Sequence, residues 1–152
     1  MLRIARLTDY AAVLMAHLAR SPERQVSAPQ LAQELDLPAP TVAALLKRLA
    51  RAGLVVGARG VGGGYSLARA ARTISVADII AAIEGPVALT ECALGAGACE
   101  LEAACATRGN WRLISRTVQV ALEAVSLADL SAPMTRAIPV ARVNVKRQAA
   151  PV

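Results

Sequence analysis

The stretch "SAPQLAQELDLPAPTVAALLKRLARAGLV", residues 27 to 55, decides the fold. Ser27 followed three residues later by Gln30 is typical of a helix N-terminus, and the leucines that follow give this short helix an apolar side. The residues "DLP" then turn the chain. A second helix, from about residue 39 to 52, has apolar side chains on one side and small or cationic ones on the other.

Two helices joined by a turn of about three residues, the second with a basic outer face, favour a helix-turn-helix. Cations on that face are expected to contact DNA phosphates, and the smaller side chains to lie nearer the groove floor. The residues of this helix that are predicted to contact DNA are Thr41, Ala44, Lys47, Arg48 and Arg51.

The next stretch, "GLVVGARGVGGGYSLAR" at residues 53 to 69, predicts a β-hairpin wing with a glycine-rich tip. The G-x-G-x-x-G pattern fails at Tyr65, so a nucleotide-binding loop is rejected. Glycine allows positive φ and close approach to another surface, and an arginine at such a tip suits a narrow minor groove. Arg59 and Gly60 are therefore predicted to contact DNA, although a plain hairpin turn with an exposed arginine remains the alternative.

Charge is distributed unevenly along the chain. Residues 1–73 hold ten Lys/Arg against four Asp/Glu, residues 74–132 three against seven, and residues 133–152 four against none. A basic front half favours a polyanion as partner, with a solvated basic face as the alternative. The apolar start of the chain is interrupted by charges and lacks a small-residue cleavage site, so we expect a cytoplasmic protein with no membrane span.

The remaining elements complete a mainly α fold with a small β wing. A first helix is expected from about Thr8 to Arg20, and a Ser-x-x-Asp cap at Ser75 opens another. In "NWRLISRTVQVALEAV" an apolar stripe suggests a helix that pairs with a second copy, with packing onto the first helix as the alternative. The predicted divisions are a winged helix-turn-helix domain at 1–86, a cysteine segment at 87–107, a long dimerisation helix at 108–132 and a flexible basic tail at 133–152.

The cysteine segment holds the only three cysteines, in "ECALGAGACELEAAC", residues 91 to 105. An odd number of clustered cysteines argues against a disulfide framework. Buried structural thiols, a zinc site and a thiol redox switch all remain open on chemistry alone. An enzyme is disfavoured, because no nucleophile is paired with a base in the sequence pattern.

The order of "LTDYAAVLMAHLA", the helix-turn-helix, "RGVGGGYSLAR", "ISVADIIAAIEGPVALTEC" and a three-cysteine loop resembles the winged-helix regulators that include IscR, NsrR and RirA. Within that family the chain looks most similar to proteobacterial regulators of the SUF iron–sulfur assembly system. The resemblance, over about residues 1 to 133, implies a homodimer that binds an operator in double-stranded DNA and represses or activates according to cluster state. It also implies that an iron–sulfur cluster is held by Cys92, Cys99 and Cys105.

The resemblance also bears on a fourth ligand. IscR-type proteins carry a histidine three residues after the last cysteine, where this chain has Arg108, which cannot ligate. NsrR-like proteins use an early aspartate in a "TD" step, and Asp9 matches it, which implies a ligand that comes from the partner subunit. A helix cap is the alternative role for Asp9, and the only histidine, His17, is expected to be an ordinary helical residue. Thiol-redox, nitric oxide or zinc sensing on the same scaffold is the alternative function.

Overall fold

The computed structural model describes residues 3–101 and 103–133. Seven α-helices, one 3-10 turn and one two-stranded antiparallel sheet make up this part of the chain, which confirms the predicted mainly α fold with a small wing. Apart from Pro133, the predicted basic tail at 133–152 lies outside the described residues. The elements in chain order are α1 Arg6–Arg20, α2 Ala28–Glu34, α3 Ala39–Arg51, β1 Val55–Ala58, β2 Gly64–Leu67, the 3-10 turn Ala71–Thr73, α4 Val76–Glu84, α5 Glu91–Leu94, α6 Arg108–Glu123 and α7 Leu127–Ser131.

The helix-turn-helix forms as the sequence predicts. Ser27 is the N-cap of α2, and its side chain accepts a hydrogen bond from the backbone N–H of Gln30 at 3.4 Å. The turn into α3 contains Asp36 at a φ of 52°, a left-handed conformation that aspartate tolerates better than most residues. Pro38 precedes α3 as its N-cap, where a missing N–H costs no helical hydrogen bond.

The wing is a hairpin in which Val55 pairs with Leu67 and Ala58 pairs with Gly64. Its tip depends on glycine, because a Cβ at Gly63 would lie only 2.4 Å from the carbonyl oxygen of Ala58. β2 is also fastened to the linker before α2, where Val26 and Tyr65 exchange backbone hydrogen bonds of 3.1 and 2.8 Å. The wing therefore has a fixed position against the helix-turn-helix.

The segment predicted as one long helix over 108–132 is two helices. α6 ends at Glu123, and Ser126 then caps α7 through a capping box in which Ser126 and Asp129 bond each other's backbone N–H groups. α6 packs against α4 and α5, whereas α7 packs against α1. Leu127 of α7 is fully buried. Because of this break the chain changes direction, and α7, unlike α6, contributes to the hydrophobic core.

One hydrophobic core joins α1, the helix-turn-helix, α4 and α7. Each fully buried leucine or isoleucine contributes about 1.5–3 kcal/mol relative to an exposed one, so this core fixes α3 firmly. The largest completely buried side chains are Leu14, Met15, Leu31, Leu45, Leu46, Leu49, Ile74, Ile79 and Leu127.

Candidate DNA-binding face and cysteine segment

The candidate DNA-binding face of α3, called the DNA-binding face below, is the stripe of Pro40, Ala44, Lys47 and Arg51. An α-helix has about 3.6 residues per turn, so these four residues follow one another along one side of α3. All four are exposed, while Val42 and the leucines of α3 point into the core. The stripe therefore combines cations in the later turns with small apolar groups in the first two turns.

Arg48 lies beside this stripe and is engaged within the chain. Its Nη1 donates a hydrogen bond of 3.1 Å to the backbone carbonyl oxygen of Ile83, close to the end of α4. That carbonyl is one of the last four of a helix, which have no partner inside the helix. The sequence predicted a phosphate contact for Arg48, and the structure gives this side chain a second role as a link between α3 and α4.

The other predicted DNA contacts occupy two places. Thr41 is half-buried on the Arg48 side of α3 rather than in the middle of the stripe. Arg59 and Gly60 lie exposed at the wing tip, and Gly60 has a φ of 104°, which favours glycine there. The wing and the stripe thus both present cations to solvent, as a DNA-binding surface requires.

The cysteine segment is anchored near its start. Cys92 is buried on α5, and its Sγ lies 3.2 Å from the Oγ1 of Thr90. Nε of Arg112, on α6, donates a 2.8 Å hydrogen bond to the carbonyl oxygen of Cys92. The buried hydroxyl of Ser115 accepts a 3.1 Å hydrogen bond from the N–H of Leu89. Two side chains of α6 therefore hold the backbone on either side of Thr90.

Cys99 and Cys105 are less enclosed than Cys92. Both are half-buried, and all three thiols are free. The Sγ of Cys105 lies 3.4 Å from the hydroxyl of Thr107. That hydroxyl, followed by the backbone N–H of Thr107, lowers the pKa of Cys105 below its ordinary value. Hydrogen bonds to sulfur stabilise the thiolate, which is the form that binds metals.

Within residues 3–101 and 103–133, no three His, Cys, Asp or Glu side chains are grouped closely enough to hold a metal ion. The cysteines are near one another in sequence but are not assembled into one coordination sphere within a single chain. Their donor chemistry nevertheless fits an iron–sulfur cluster, because free thiolates are the usual ligands of such clusters. The spacing alone could not have revealed that Cys92 is fixed while the other two are more open.

Asp9 does not cap α1. The N-cap is Ala5, and no side chain caps this helix terminus, so Asp9 lies in the first turn with its side chain exposed. It borders a groove of about 440 Å³ between α1, α4 and α7, to which Ile79 and Leu130 contribute apolar walls. A second molecule that entered this groove would meet the Asp9 carboxylate.

Thr8, the first residue of the "TD" step, has a structural role that the sequence pattern does not reveal. It is buried, and its hydroxyl donates a hydrogen bond to the Oε1 of Glu84, the last residue of α4. The same oxygen accepts a 3.1 Å hydrogen bond from the N–H of Ala5. The N-terminus of α1 is thus joined to the end of α4. The joining residue, Glu84, lies one residue beyond the Ile83 carbonyl that accepts the Arg48 hydrogen bond and three residues before the cysteine segment.

The imidazole of His17 is engaged in a contact with a carboxylate of the same chain. Its Nε2 lies 2.7 Å from Oε2 of Glu34, and Nη2 of Arg24 lies 2.8 Å from Oε1 of the same carboxylate. These hydrogen bonds, first from Arg24 and then from His17, lower the pKa of Glu34. The group connects α1 to α2, which agrees with the expectation that His17 is an ordinary helical residue.

The helix-turn-helix, the attached wing and the basic stripe together define the chain as a winged-helix protein. It belongs to the Rrf2 family, whose model is described as "Iron-dependent Transcriptional regulator" and matches residues 4–133. This confirms the family predicted from the sequence, which is one of DNA-binding regulators and not of enzymes. None of the helices in residues 3–101 and 103–133 has the length and apolar character needed to cross a membrane.

Several known proteins are similar to the chain. IscR of Cereibacter sphaeroides is 36% identical over 126 residues, which cover 80% of this chain and 81% of that protein. IscR of Vibrio vulnificus is 40% identical over 86 residues, 57% of this chain and 51% of that protein, so the match spans about half the length of that relative. Among solved structures, CymR, the global cysteine regulator of B. subtilis, superposes with a TM-score of 0.68 at 32% identity, covering 86% of this chain and 97% of that one. IscR of T. potens has a TM-score of 0.65 at 30% identity and covers 85% of both chains.

Proposed function

We propose that this protein is a transcriptional regulator that senses iron–sulfur clusters and represses iron–sulfur assembly genes of the SUF type. The observation that carries the proposal is the combination of three free thiols on one segment with a winged-helix unit of the Rrf2 family. Its similarity to two IscR proteins over most of their lengths supports the same reading. A regulator of this kind acts on DNA in the cytoplasm.

DNA binding is proposed for α3 and the wing. Lys47 and Arg51 on the DNA-binding face would contact phosphates, and Arg59 at the wing tip would enter the minor groove. The buried side of α3 fixes the backbone that carries Lys47 and Arg51, which lowers the entropy lost on binding.

A homodimer is proposed because α6 leaves large apolar side chains uncovered. Trp111 is 41% exposed and Ile114 is 44% exposed, although both belong to the apolar stripe of this helix. A second copy covering the stripe would also pair two helix-turn-helix units, as a palindromic operator requires. Asp9, exposed beside the groove along α1, is proposed as the fourth cluster ligand, supplied by the partner subunit.

Cys92, Cys99 and Cys105 are the proposed cluster ligands, and the cluster when bound supplies a labile centre whose presence reports iron–sulfur status. The route to DNA is proposed through the end of α4, where Glu84 bonds α1 and the Ile83 carbonyl accepts a hydrogen bond from Arg48 of α3. A movement of the cysteine segment would then change the position of α3. A coupling of about 1–3 kcal/mol would suffice for a useful switch.

Thiol sensing is the second candidate, and one observation favours it. Hydrogen bonds from Thr107 lower the pKa of the half-buried Cys105, which increases its thiolate fraction and thus its reactivity. The similarity to CymR, described as a global cysteine regulator, points in the same direction. Zinc or nitric oxide sensing would use the same cysteines.

Anaerobic purification followed by footprinting tests the proposal. We expect a brown protein with iron and acid-labile sulfide, and a footprint upstream of its own gene that differs between cluster-loaded and apo protein. Colourless protein loaded with zinc would support the zinc alternative. Metal-free protein whose footprint follows thiol oxidation would support the thiol alternative, and an unchanged footprint would contradict cluster sensing.

A further inference from the structure

The first two turns of α3 present apolar groups to solvent. Pro40, Ala43 and Ala44 are all exposed, whereas Thr41 is half-buried on the flank that carries Arg48. The cations of the DNA-binding face, Lys47 and Arg51, lie one and two turns further along the helix. The exposed front of α3 in these two turns therefore presents methyl and ring carbons.

This arrangement limits how α3 can read bases. In a helix-turn-helix the N-terminal residues of the second helix meet the base edges in the major groove. Guanine is read there by arginine or lysine and adenine by asparagine or glutamine, whereas alanine makes apolar contact with the C5 methyl group of thymine. Neither Ala43 nor Ala44 can make a bidentate hydrogen bond to a base.

We propose that α3 reads thymine methyl groups, so that the operator carries thymines where Ala43 and Ala44 face the major groove. This inference rests on the proposed DNA-binding function and names the chemistry of its ligand. The ligand is double-stranded DNA whose specificity at α3 comes from C5 methyl groups and shape, while Lys47 and Arg51 hold the backbone.

Other parts of the surface agree with this assignment. Arg48 donates a hydrogen bond to the Ile83 carbonyl oxygen, and this bond holds its guanidinium toward α4. The exposed Arg59 at the wing tip suits the narrow minor groove of A·T-rich DNA. Both α3 and the wing thus favour A·T base pairs, one through methyl groups and the other through groove width.

The test compares thymine with uracil, which pairs identically but lacks the C5 methyl group. It starts from a library of random double-stranded DNA that contains thymine. The full chain, apo and cluster-loaded, is used to select binding sequences from the thymine library. The consensus is then synthesised with uracil at single positions. We expect thymines in each half-site, and a loss of about fourfold in affinity for each contacted thymine replaced, the value of one buried methyl group.

Variants locate the effect on α3. Ala44→Gly removes one contacting methyl, so the variant should bind with nearly equal affinity whether thymine or uracil stands at the position that Ala44 faces, and should keep the preference for thymine at the position that Ala43 faces. Ala50→Gly is the matched control, because Ala50 is also exposed on α3 but lies in its last turn. Both changes weaken the helix similarly, and the control should keep the full preference for thymine.

Two different failures are distinguishable. If the thymine library yields a consensus whose affinity is unchanged by uracil, or one read through guanines, the inference is wrong while DNA binding stands. If neither the apo nor the cluster-loaded protein enriches any sequence, the proposed function fails together with the inference.

Discussion

α3 buries Leu45, Leu46 and Leu49 in the core that it shares with α1, whereas the cysteine segment is held near its start by Arg112 and Ser115 of α6. In the first region the cationic side chains of Lys47 and Arg51 are already exposed on a helix that the core holds in position. The second has three thiols that a single chain does not bring together. We therefore expect folding to form the DNA-binding face, and ligand binding or dimerisation to complete the cysteine site.

The largest expected effect concerns the cysteine segment, the second of these two regions. Replacing any of Cys92, Cys99 or Cys105 by alanine should abolish stable cluster loading, measured as iron and acid-labile sulfide per chain. The melting temperature of the apo protein separates the three variants. Cys92→Ala should lower it, because Cys92 is only 6% exposed and its loss leaves a cavity. Cys99→Ala and Cys105→Ala should leave it nearly unchanged.

Apo melting temperatures that fall equally in all three variants would contradict the difference between an anchored Cys92 and two open cysteines. Normal cluster content in any single variant would remove that residue from the ligand set.

The next effect concerns the stripe on α6. Ile114→Glu places a charge in the proposed interface, where an unpaired buried charge costs about 3–5 kcal/mol. We expect monomers in sedimentation and loss of operator binding, while all three cysteines remain present. Ile114→Val, which keeps the apolar surface, is the control. Dimers that persist in the Ile114→Glu protein would show that the interface lies elsewhere.

Thr8 and Asp9 are neighbours with different expected roles. Thr8→Ala removes a buried donor to Glu84 and should lower the free energy of unfolding by about 1–3 kcal/mol. Asp9→Ala removes an exposed carboxylate that caps nothing, and should leave apo stability nearly unchanged while making the cluster more labile. Apo melting and the rate of cluster loss in air measure the two properties. An Asp9→Ala protein with a normal cluster would refute the proposed fourth ligand.

Arg51 and Arg48 sharpen the comparison on the DNA side. Arg51→Ala should weaken binding to all sequences alike and reduce the slope of log affinity against log salt by about one, as loss of a phosphate contact does. Arg48→Ala breaks the link to the Ile83 carbonyl oxygen. It should change this slope less, and bring the affinities of apo and cluster-loaded protein closer together. Equal slopes and an unchanged apo-to-loaded ratio in both variants would make Arg48 an ordinary phosphate contact.

Much of the DNA-binding half was predictable because its signals are local. Ser27 with Gln30, the "DLP" turn and the glycine-rich wing tip each act over a few residues, and the observed elements follow them closely. The break between α6 and α7 had an equally local signal, since Ser126 and Asp129 repeat the Ser-x-x-Asp cap that was recognised at Ser75. The apolar stripe continues to Val125, beyond the last residue of α6, and therefore favoured the prediction of one continuous helix.

Contacts between distant parts of the chain had no such signal. Arg48 and Ile83 are 35 residues apart, and Thr8 and Glu84 are 76 apart. Both pairs depend on how α4 packs against α3 and α1, which no spacing within one helix reveals. The ligand set also remains a prediction, because it was carried over from a family resemblance and the thiols of one chain are not assembled.

The smallest expected effect concerns the connection of α1 to α2, in the region that folding alone should form. The carboxylate of Glu34 accepts hydrogen bonds from Arg24 and His17, and the bond from Arg24 is the first cause of its lowered pKa. A carboxyl group whose pKa is lower in the folded state stabilises the fold above its unfolded pKa. That stabilisation is lost as pH falls through the lower, folded value.

Glu34→Gln should therefore melt slightly below the wild type at neutral pH, and the difference in Tm should shrink on acidification below the ordinary glutamate range. Glu23→Gln, at another exposed glutamate near the end of α1, is the control for a general loss of negative charge. Because His17 and Arg24 are themselves partly exposed, solvent screens the group and the shift in Tm should be smaller than that caused by Thr8→Ala. Cluster content should not change, because this connection joins α1 to α2 and includes none of the proposed cluster ligands. A Tm difference that stays constant with pH would mean that Glu34 acts through packing rather than through its charge.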